Sequence, residues 1–256
     1  MRPVDKGESP YNTIKKYQDA LPYLGEKIGY YCSYCEFPIK HVPEVEHVVS
    51  KSKGGDITDW MNLLLGCKYC NARKSANTTP ENDDDFLWPD VNNTAIAYTY
   101  ENGYPKVNEQ LLMELDPTGE LKEKATNTYE LVKLGNVPDL SKGDKDRRLI
   151  ERNTVYYKAK ESLDGWLHMK DAPDSYREDL KKQIIMTALG DGFYSVWMTV
   201  FANEPQILLA LIDGFAGTNK NCYDEEGNVK KNNYLIIFLI ILLQYLSYCF
   251  VRPVNA

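Results

Sequence analysis

Two Cys-x-x-Cys pairs, separated by 31 residues, constrain this chain more than any other feature. The four cysteines are Cys32, Cys35, Cys67 and Cys70. Zinc binds four thiolates as a tetrahedron, and each Cys-x-x-Cys turn supplies two sulfurs from one side. The doubled motif favours a metal site over a redox dithiol. Because four protein ligands leave no position for water or substrate, we expect a structural zinc ion.

The charge is distributed unevenly. The 256 residues carry a formal net charge of −7, but residues 1–80 hold eleven Lys/Arg against nine Asp/Glu, and the remainder holds nineteen against twenty-eight. Affinity for phosphate grows with the number of phosphates neutralised, so we expect weak nucleic-acid binding unless a partner contributes. The first residues, M-R-P-V-D-K-G, lack the apolar stretch of a signal peptide, and six cysteines do not suit a secreted disulfide scaffold. A cytoplasmic location is therefore expected.

The segment between the cysteine pairs predicts a strand, a loop, a second strand and a helix. A β-prone run, Val45–Val49, surrounds one of the three histidines, and a loop with two adjacent glycines follows at Lys51–Asp59. Asn62–Gly66 reads as a second short strand, and a helix begins near Asn71.

Four polar residues in this segment are Glu46, His47, Asn62 and Asn71. With the cysteine pairs they complete a pattern that resembles the HNH endonucleases of the ββα-metal type with a structural zinc. The resemblance implies that Glu46 and Asn71 hold a catalytic Mg²⁺ or Mn²⁺, for which carboxylate and amide oxygens are suitable ligands. It implies that His47 is the general base, a role that suits an imidazole with a pKa near 6.5. Asn62 would fix the loop so that the histidine points at its water.

Two basic residues, Arg73 and Lys74, follow the motif at the start of the predicted helix. They are candidates for contact with nucleic-acid phosphate, helped by the positive end of the helix. The alternative is an ordinary solvated helix face.

The fold class predicted is α+β, with a zinc-braced ββα-metal unit followed by a mostly helical region. We divide the chain into a nuclease domain at 1–80, an acidic loop and hairpin connector at 81–105, and a helical partner-binding domain at 106–256. The connector contains Asn102-Gly103, which suits a type I′ hairpin turn.

Helices are predicted over Asp144–Met169, over Ser175–Leu189 with Gly190 as C-cap, and from Pro205 onward with Asn203 or Glu204 as N-cap. An earlier helical pattern over residues 11–28 is interrupted by Pro22.

The tail Tyr234–Val251 is a run of eighteen uncharged residues. As a helix rising about 1.5 Å per residue it would span roughly 27 Å, which is marginal for a bilayer core. A buried or partner-facing helix is therefore favoured over a membrane anchor.

Three further segments resemble the HNH subunits of Septu-type antiphage defence systems, including those attached to retrons. They read M-R-P-V-D-K-G, F-L-W-P-D and G-F-A-G-T-N-K-N-C-Y-D. The resemblance implies a toxic nuclease effector and an ABC/RecN-like ATPase partner, with a retron reverse transcriptase and its RNA/DNA as further partners. The apolar tail is not part of that pattern.

Three functions remain open from the sequence. The leading one is a nuclease that cuts DNA. The same hydrolytic group could cut RNA such as tRNA, because no base-reading element is evident. A zinc-knuckle nucleic-acid-binding or scaffold subunit with an inactive site is the third, although such a subunit needs neither the Glu-His pair nor the two asparagines.

Overall fold

The computed structural model describes residues 1–231, so the apolar tail Tyr234–Val251 lies outside the described residues. Within the described part of the chain, no helix combines the length and the apolar character needed to cross a bilayer.

Short strand pairs at the N-terminal end and in the middle are combined with helices, which dominate the second half. The fold class is therefore α+β, and that prediction is confirmed. The strands are β1 (Glu44–His47), β2 (Leu63–Gly66), β3 (Tyr98–Glu101) and β4 (Tyr104–Val107). The helices are α1 (Leu21–Ile28), α2 (Lys68–Lys74), α3 (Glu109–Leu115), α4 (Glu120–Leu131), α5 (Arg148–His168), α6 (Asp174–Asp191), α7 (Tyr194–Val200) and α8 (Pro205–Gly214).

The predicted strand–loop–strand–helix order is present between the cysteine pairs. β1 and β2 pair antiparallel, with Glu46 opposite Leu64 and His47 opposite Leu63. α2 follows directly and begins three residues earlier than predicted, because Cys67 caps it by accepting a hydrogen bond from the Cys70 amide.

The hairpin at Asn102-Gly103 is confirmed. β3 and β4 pair antiparallel around this turn, with φ of 50° at Asn102 and 77° at Gly103, as a type I′ turn requires. A Cβ on Gly103 would lie 2.7 Å from the Arg152 carbonyl oxygen, so the turn also packs tightly against α5.

The helical half follows the sequence pattern with small shifts. Pro205 occupies the first turn of α8 and Glu204 is its N-cap, as predicted. The C-cap of α6 is Gly192 rather than Gly190, because α6 continues through Asp191. Pro22 does not interrupt α1 but stands in its first turn, where its missing N–H has no helical partner to lose.

The buried core runs across the predicted domain boundaries. The Arg2 guanidinium donates to the carbonyl oxygens of Ile28 and Ala216. The Lys6 amine lies 2.6 Å from an Asp90 carboxylate oxygen and donates to the Leu63 carbonyl oxygen in β2. The first residues thus contact both strand β2 and the turn after α8. The division of the chain into domains at residues 80 and 105 stays a prediction.

Candidate functional site

The four cysteines of the two pairs meet in one buried cluster. Their sulfur atoms all lie within 4.8 Å of one another, and none forms a disulfide. A zinc ion with Zn–S bonds of about 2.3 Å needs sulfurs about 3.8 Å apart, and the Sγ atoms of Cys35 and Cys67 are separated by 3.6 Å. The donor set and its spacing therefore fit a tetrahedral zinc ion with no open position.

One guanidinium from the helical region reaches this cluster. Arg148, at the start of α5, donates from Nη1 to the Cys70 sulfur over 3.2 Å. Nη1 also donates to the Val132 carbonyl oxygen, and Nη2 donates to the Lys133 carbonyl oxygen and to the Asp146 carboxylate. Because a zinc ion with four thiolates carries a net charge of −2, a buried guanidinium offsets part of that charge. Sequence reasoning missed Arg148, since it lies 78 positions after Cys70 in the chain.

The β1–β2 pair carries two glutamates on one face. Successive side chains of a strand point to opposite faces, so Glu44 and Glu46 share a face, and His47 follows as the last residue of β1. α2 lies against the glutamate face, where Asn71 donates to Glu44 over 2.7 Å and Lys74 pairs with Glu46 over 2.8 Å.

A glycine makes room for the glutamate face. A Cβ on Gly66 would lie 3.2 Å from the Glu46 Cβ and 3.7 Å from the Asn71 Cβ. Glu44 lies opposite Gly66 in the strand register. Two carboxylate side chains and one amide side chain thus lie around Gly66, and carboxylate and amide oxygens are hard ligands that suit Mg²⁺ or Mn²⁺. Sequence reasoning did not include Glu44; its position two residues before Glu46 on a strand was the available signal.

The imidazole of His47 is held by a backbone carbonyl. Its Nε2 lies 3.1 Å from the Ile57 carbonyl oxygen. Because a carbonyl only accepts hydrogen bonds, Nε2 carries the proton of the neutral ring and Nδ1 keeps its lone pair. Burial lowers the pKa of His47, the Ile57 carbonyl opposes that shift, and repulsion from Lys51 and Lys74 adds to it. The ring is therefore neutral at pH 7.

Asn62 clamps the loop that supplies this carbonyl. Its Oδ1 accepts from the Val49 amide over 2.7 Å, and its Nδ2 donates to the carbonyl oxygens of Val49 and Asp56. Gly55 is required here, because a Cβ would lie 2.1 Å from the Val49 carbonyl oxygen. The amide of Asn62 thus closes the loop that ends next to Ile57.

The carboxylate of Glu46 is buried and fully engaged. The residue is 2% exposed, its Oε1 pairs with Lys74, and its Oε2 accepts from the Tyr34 hydroxyl. Burial raises the pKa of Glu46, and the adjacent Lys74 and the Tyr34 hydroxyl oppose that shift. A divalent ion bound to Glu46 would have to share or replace these partners.

Lys74 does not occupy the predicted surface position. The residue is 1% exposed, and its amine donates to the His47 carbonyl oxygen over 2.6 Å and to the Thr78 hydroxyl over 2.9 Å, besides pairing with Glu46. The amine is therefore not on the surface expected of a phosphate contact, because α2 turns this side chain toward the β1–β2 strand pair. Arg73 is on the solvent side, 3.8 Å from the Asp144 carboxylate, and its role stays a prediction.

Residues 32–77 match a protein-family model described as HNH endonuclease. The match runs from the first cysteine of the cluster to just beyond α2, and it contains the hairpin, the clamped loop and the glutamate face. No curated protein and no solved structure matches the chain. Residues 32–77 therefore form an HNH endonuclease domain with a zinc-type four-cysteine cluster.

Proposed function

We propose that the protein is a metal-dependent endonuclease that hydrolyses phosphodiester bonds of nucleic acid. One observation carries the proposal: His47 is fixed by the Ile57 carbonyl so that a neutral ring exposes the lone pair of Nδ1. A zinc-binding or scaffold protein has no need for a buried histidine oriented by a clamped loop. The family match over residues 32–77 supports the same reaction class.

In the proposed mechanism, His47 takes the proton of the attacking water at Nδ1. Its lowered pKa keeps the ring unprotonated at neutral pH, which is the form a general base requires. Asn62 contributes by closing the loop, so that Ile57 O and His47 Nε2 stay in contact when the proton arrives at Nδ1. The resulting imidazolium is then stabilised by that carbonyl.

Glu46 and Asn71, with Glu44 beside them, would hold the divalent ion. Such an ion supplies charge stabilisation for the leaving oxygen, for which no nearby side chain is an obvious proton donor. Lys74 neutralises Glu46 in the structure described, and its amine is also anchored by His47 O and Thr78. If the ion displaced this pairing, the amine would still have the His47 carbonyl oxygen and the Thr78 hydroxyl as partners.

The proposed substrate is DNA, and the proposed role is that of a toxic effector in an antiphage defence complex. The resemblance of three segments to Septu-type and retron-associated HNH subunits supports this role. It also suggests an ABC/RecN-like ATPase as the partner, with a retron reverse transcriptase as a further one.

An exposed apolar face supports docking of such a partner. Tyr176 and Met186 on α6 are 62% and 72% exposed, and with Leu180 they border an open cavity of about 670 Å³ between α5 and α6. Exposed apolar patches of this kind mark interaction sites. Tyr176→Asp/Met186→Asp should abolish co-purification with the proposed ATPase partner and leave folding intact. A complex that survives both changes would place the partner elsewhere.

The decisive experiment incubates the purified protein with plasmid DNA and total RNA, with Mg²⁺ or Mn²⁺, in the presence and absence of the ATPase. Cleavage of DNA that is lost in His47→Ala supports the proposal. Cleavage of RNA alone would support the alternative substrate, tRNA being one such target. Absence of cleavage under every condition would favour an inactive subunit. In that case the pairing of Glu46 with Lys74 and Tyr34 would be its permanent state.

A further inference from the structure

Many cations of the helical region are already paired with carboxylates. Ten such side chains lie within 4.0 Å of an Asp or Glu oxygen: Lys106, Lys122, Lys124, Lys133, Lys142, Arg147, Lys158, Lys181, Lys182 and Lys220. The exposed lysines of this region that form no ion pair among the described residues, such as Lys145, Lys160 and Lys170, lie at separate places along the chain.

Four exposed lysines without an ion pair in the described part of the chain lie in the two segments that approach His47. We call them the lysine flank: Lys15, Lys16, Lys51 and Lys53. Within residues 1–231, none of the four takes part in an ion pair. The nearby carboxylates of Asp19 and Asp56 are instead engaged with backbone amides, Asp19 with that of Lys16 and Asp56 with that of Thr58.

Tyr17 joins the flank to the general base. Its ring lies edge-on to the His47 ring, with 4.8 Å between centroids. The Lys51 amine lies 4.6 Å from the centre of the same ring and donates to its hydroxyl over 3.3 Å. Lys15 and Lys16 precede Tyr17 directly, and Lys53 shares a 3₁₀ turn with Lys51. The Lys51 amine thus lies beside Tyr17 and His47, and the three other lysines follow or precede this contact within two residues along the chain.

We propose that the lysine flank receives the phosphodiester backbone of the strand that His47 cleaves. The inference rests on the proposed function for the nature of the polymer. It replaces the buried amine of Lys74 with exposed amines as the phosphate contacts. An ammonium recognises phosphate as a point charge whatever the base sequence, so the contacts position the strand without selecting a sequence. DNA and RNA share the phosphodiester group, and both are ligands of this surface.

The test compares two double variants with the same change in net charge. Lys51→Gln/Lys53→Gln removes half of the flank. Lys160→Gln/Lys170→Gln is the matched control, because these lysines are also exposed and, among the described residues, unpaired, but they lie on or just after α5. Binding of the full-length protein to a labelled DNA duplex, and to RNA of the same sequence, is followed by fluorescence anisotropy across a salt titration. No divalent ion is added, so that the ligand is not cut.

Each lost phosphate contact reduces the salt slope of log K on a DNA duplex by about 0.9. The flank variant should therefore lose about two units of slope, and its affinity at low salt should fall on the order of tenfold or more, while the control follows the wild type. A loss of affinity and salt slope in the flank variant, on both polymers or on the one polymer that binds, supports the lysine flank as the phosphate-binding surface. Equal losses of affinity and salt slope in the two double variants would show that only net charge matters. That result would overturn the proposed role of the lysine flank.

The proposal and the proposed function fail separately. Wild-type binding without salt dependence would overturn the proposed role of the lysine flank, and so would an unchanged salt slope in the flank variant. Either result holds even when the wild type cleaves nucleic acid. A reduced slope in the flank variant supports the surface even when the wild type cleaves neither polymer, and in that case the nuclease function fails. Thermal melting of both variants confirms that the exposed substitutions leave the fold intact.

Discussion

Replacement of Lys74 by methionine separates an internal counter-ion from a surface phosphate contact. In the structure, the Lys74 amine pairs with Glu46 and donates to two further oxygens, all buried. Removal of one partner of a buried ion pair typically costs about 3–5 kcal/mol, because the other charge stays behind without compensation. Compared with a total stability of about 5–15 kcal/mol, such a loss is a large fraction.

The free energy of unfolding, measured by urea denaturation, should therefore fall by about 3–5 kcal/mol in Lys74→Met. Arg73→Met is the matched control, because the Arg73 side chain is 42% exposed and its pair with Asp144 spans 3.8 Å. An exposed pair of this kind contributes about 0–1 kcal/mol. Glu46→Gln in the Lys74→Met background should recover part of the loss, since a neutral amide still accepts from Tyr34.

The pH dependence of Lys74→Met has a defined sign. Burial already raises the pKa of Glu46, and removal of Lys74 takes away the largest effect that opposes this shift. A raised folded-state pKa means that stability is present below the unfolded pKa and is lost as the pH rises through the folded one. The penalty in Lys74→Met should thus shrink in acid. A Lys74→Met protein as stable as the wild type at neutral pH would refute the buried-pair reasoning.

Three further outcomes follow from the described contacts. His47→Ala should reduce cleavage by about 10²–10⁴-fold, and the acid limb of the wild-type rate profile should lie below 6.5, because the pKa of His47 is lowered from that value; a limb above 6.5 would contradict this. Because the folded-state pKa of His47 is lowered, its contribution to the free energy of unfolding is present above pH 6.5 and is lost as the pH falls and the ring protonates. Cys67→Ser should lose the bound zinc detected by elemental analysis and destabilise the hairpin region, whereas unchanged zinc would indicate another site. Arg148→Met should release zinc to a colorimetric chelator faster than the exposed-site control Arg147→Met, and equal release rates would remove Arg148 from the zinc environment.

Several features follow from the sequence alone because they depend on neighbours along the chain. Spacing within each Cys-x-x-Cys turn brings two sulfurs to one side. Asn102-Gly103 permits the positive φ angles of its turn, and Pro205 suits the first turn of α8 because its missing N–H needs no partner there. The α+β class and the strand–loop–strand–helix order are likewise encoded in local patterns.

Only the tertiary structure decides which way a polar side chain points. Arg73 and Lys74 are adjacent on α2, yet one faces solvent and the other Glu46, because the helix packs on the glutamate face of the hairpin. Glu44 meets Asn71 for the same reason. Arg148 reaches Cys70 across 78 residues through the packing of α5. Such contacts depend on how separate helices and strands pack against each other. That packing is decided by all the core contacts together and not by neighbours along the chain.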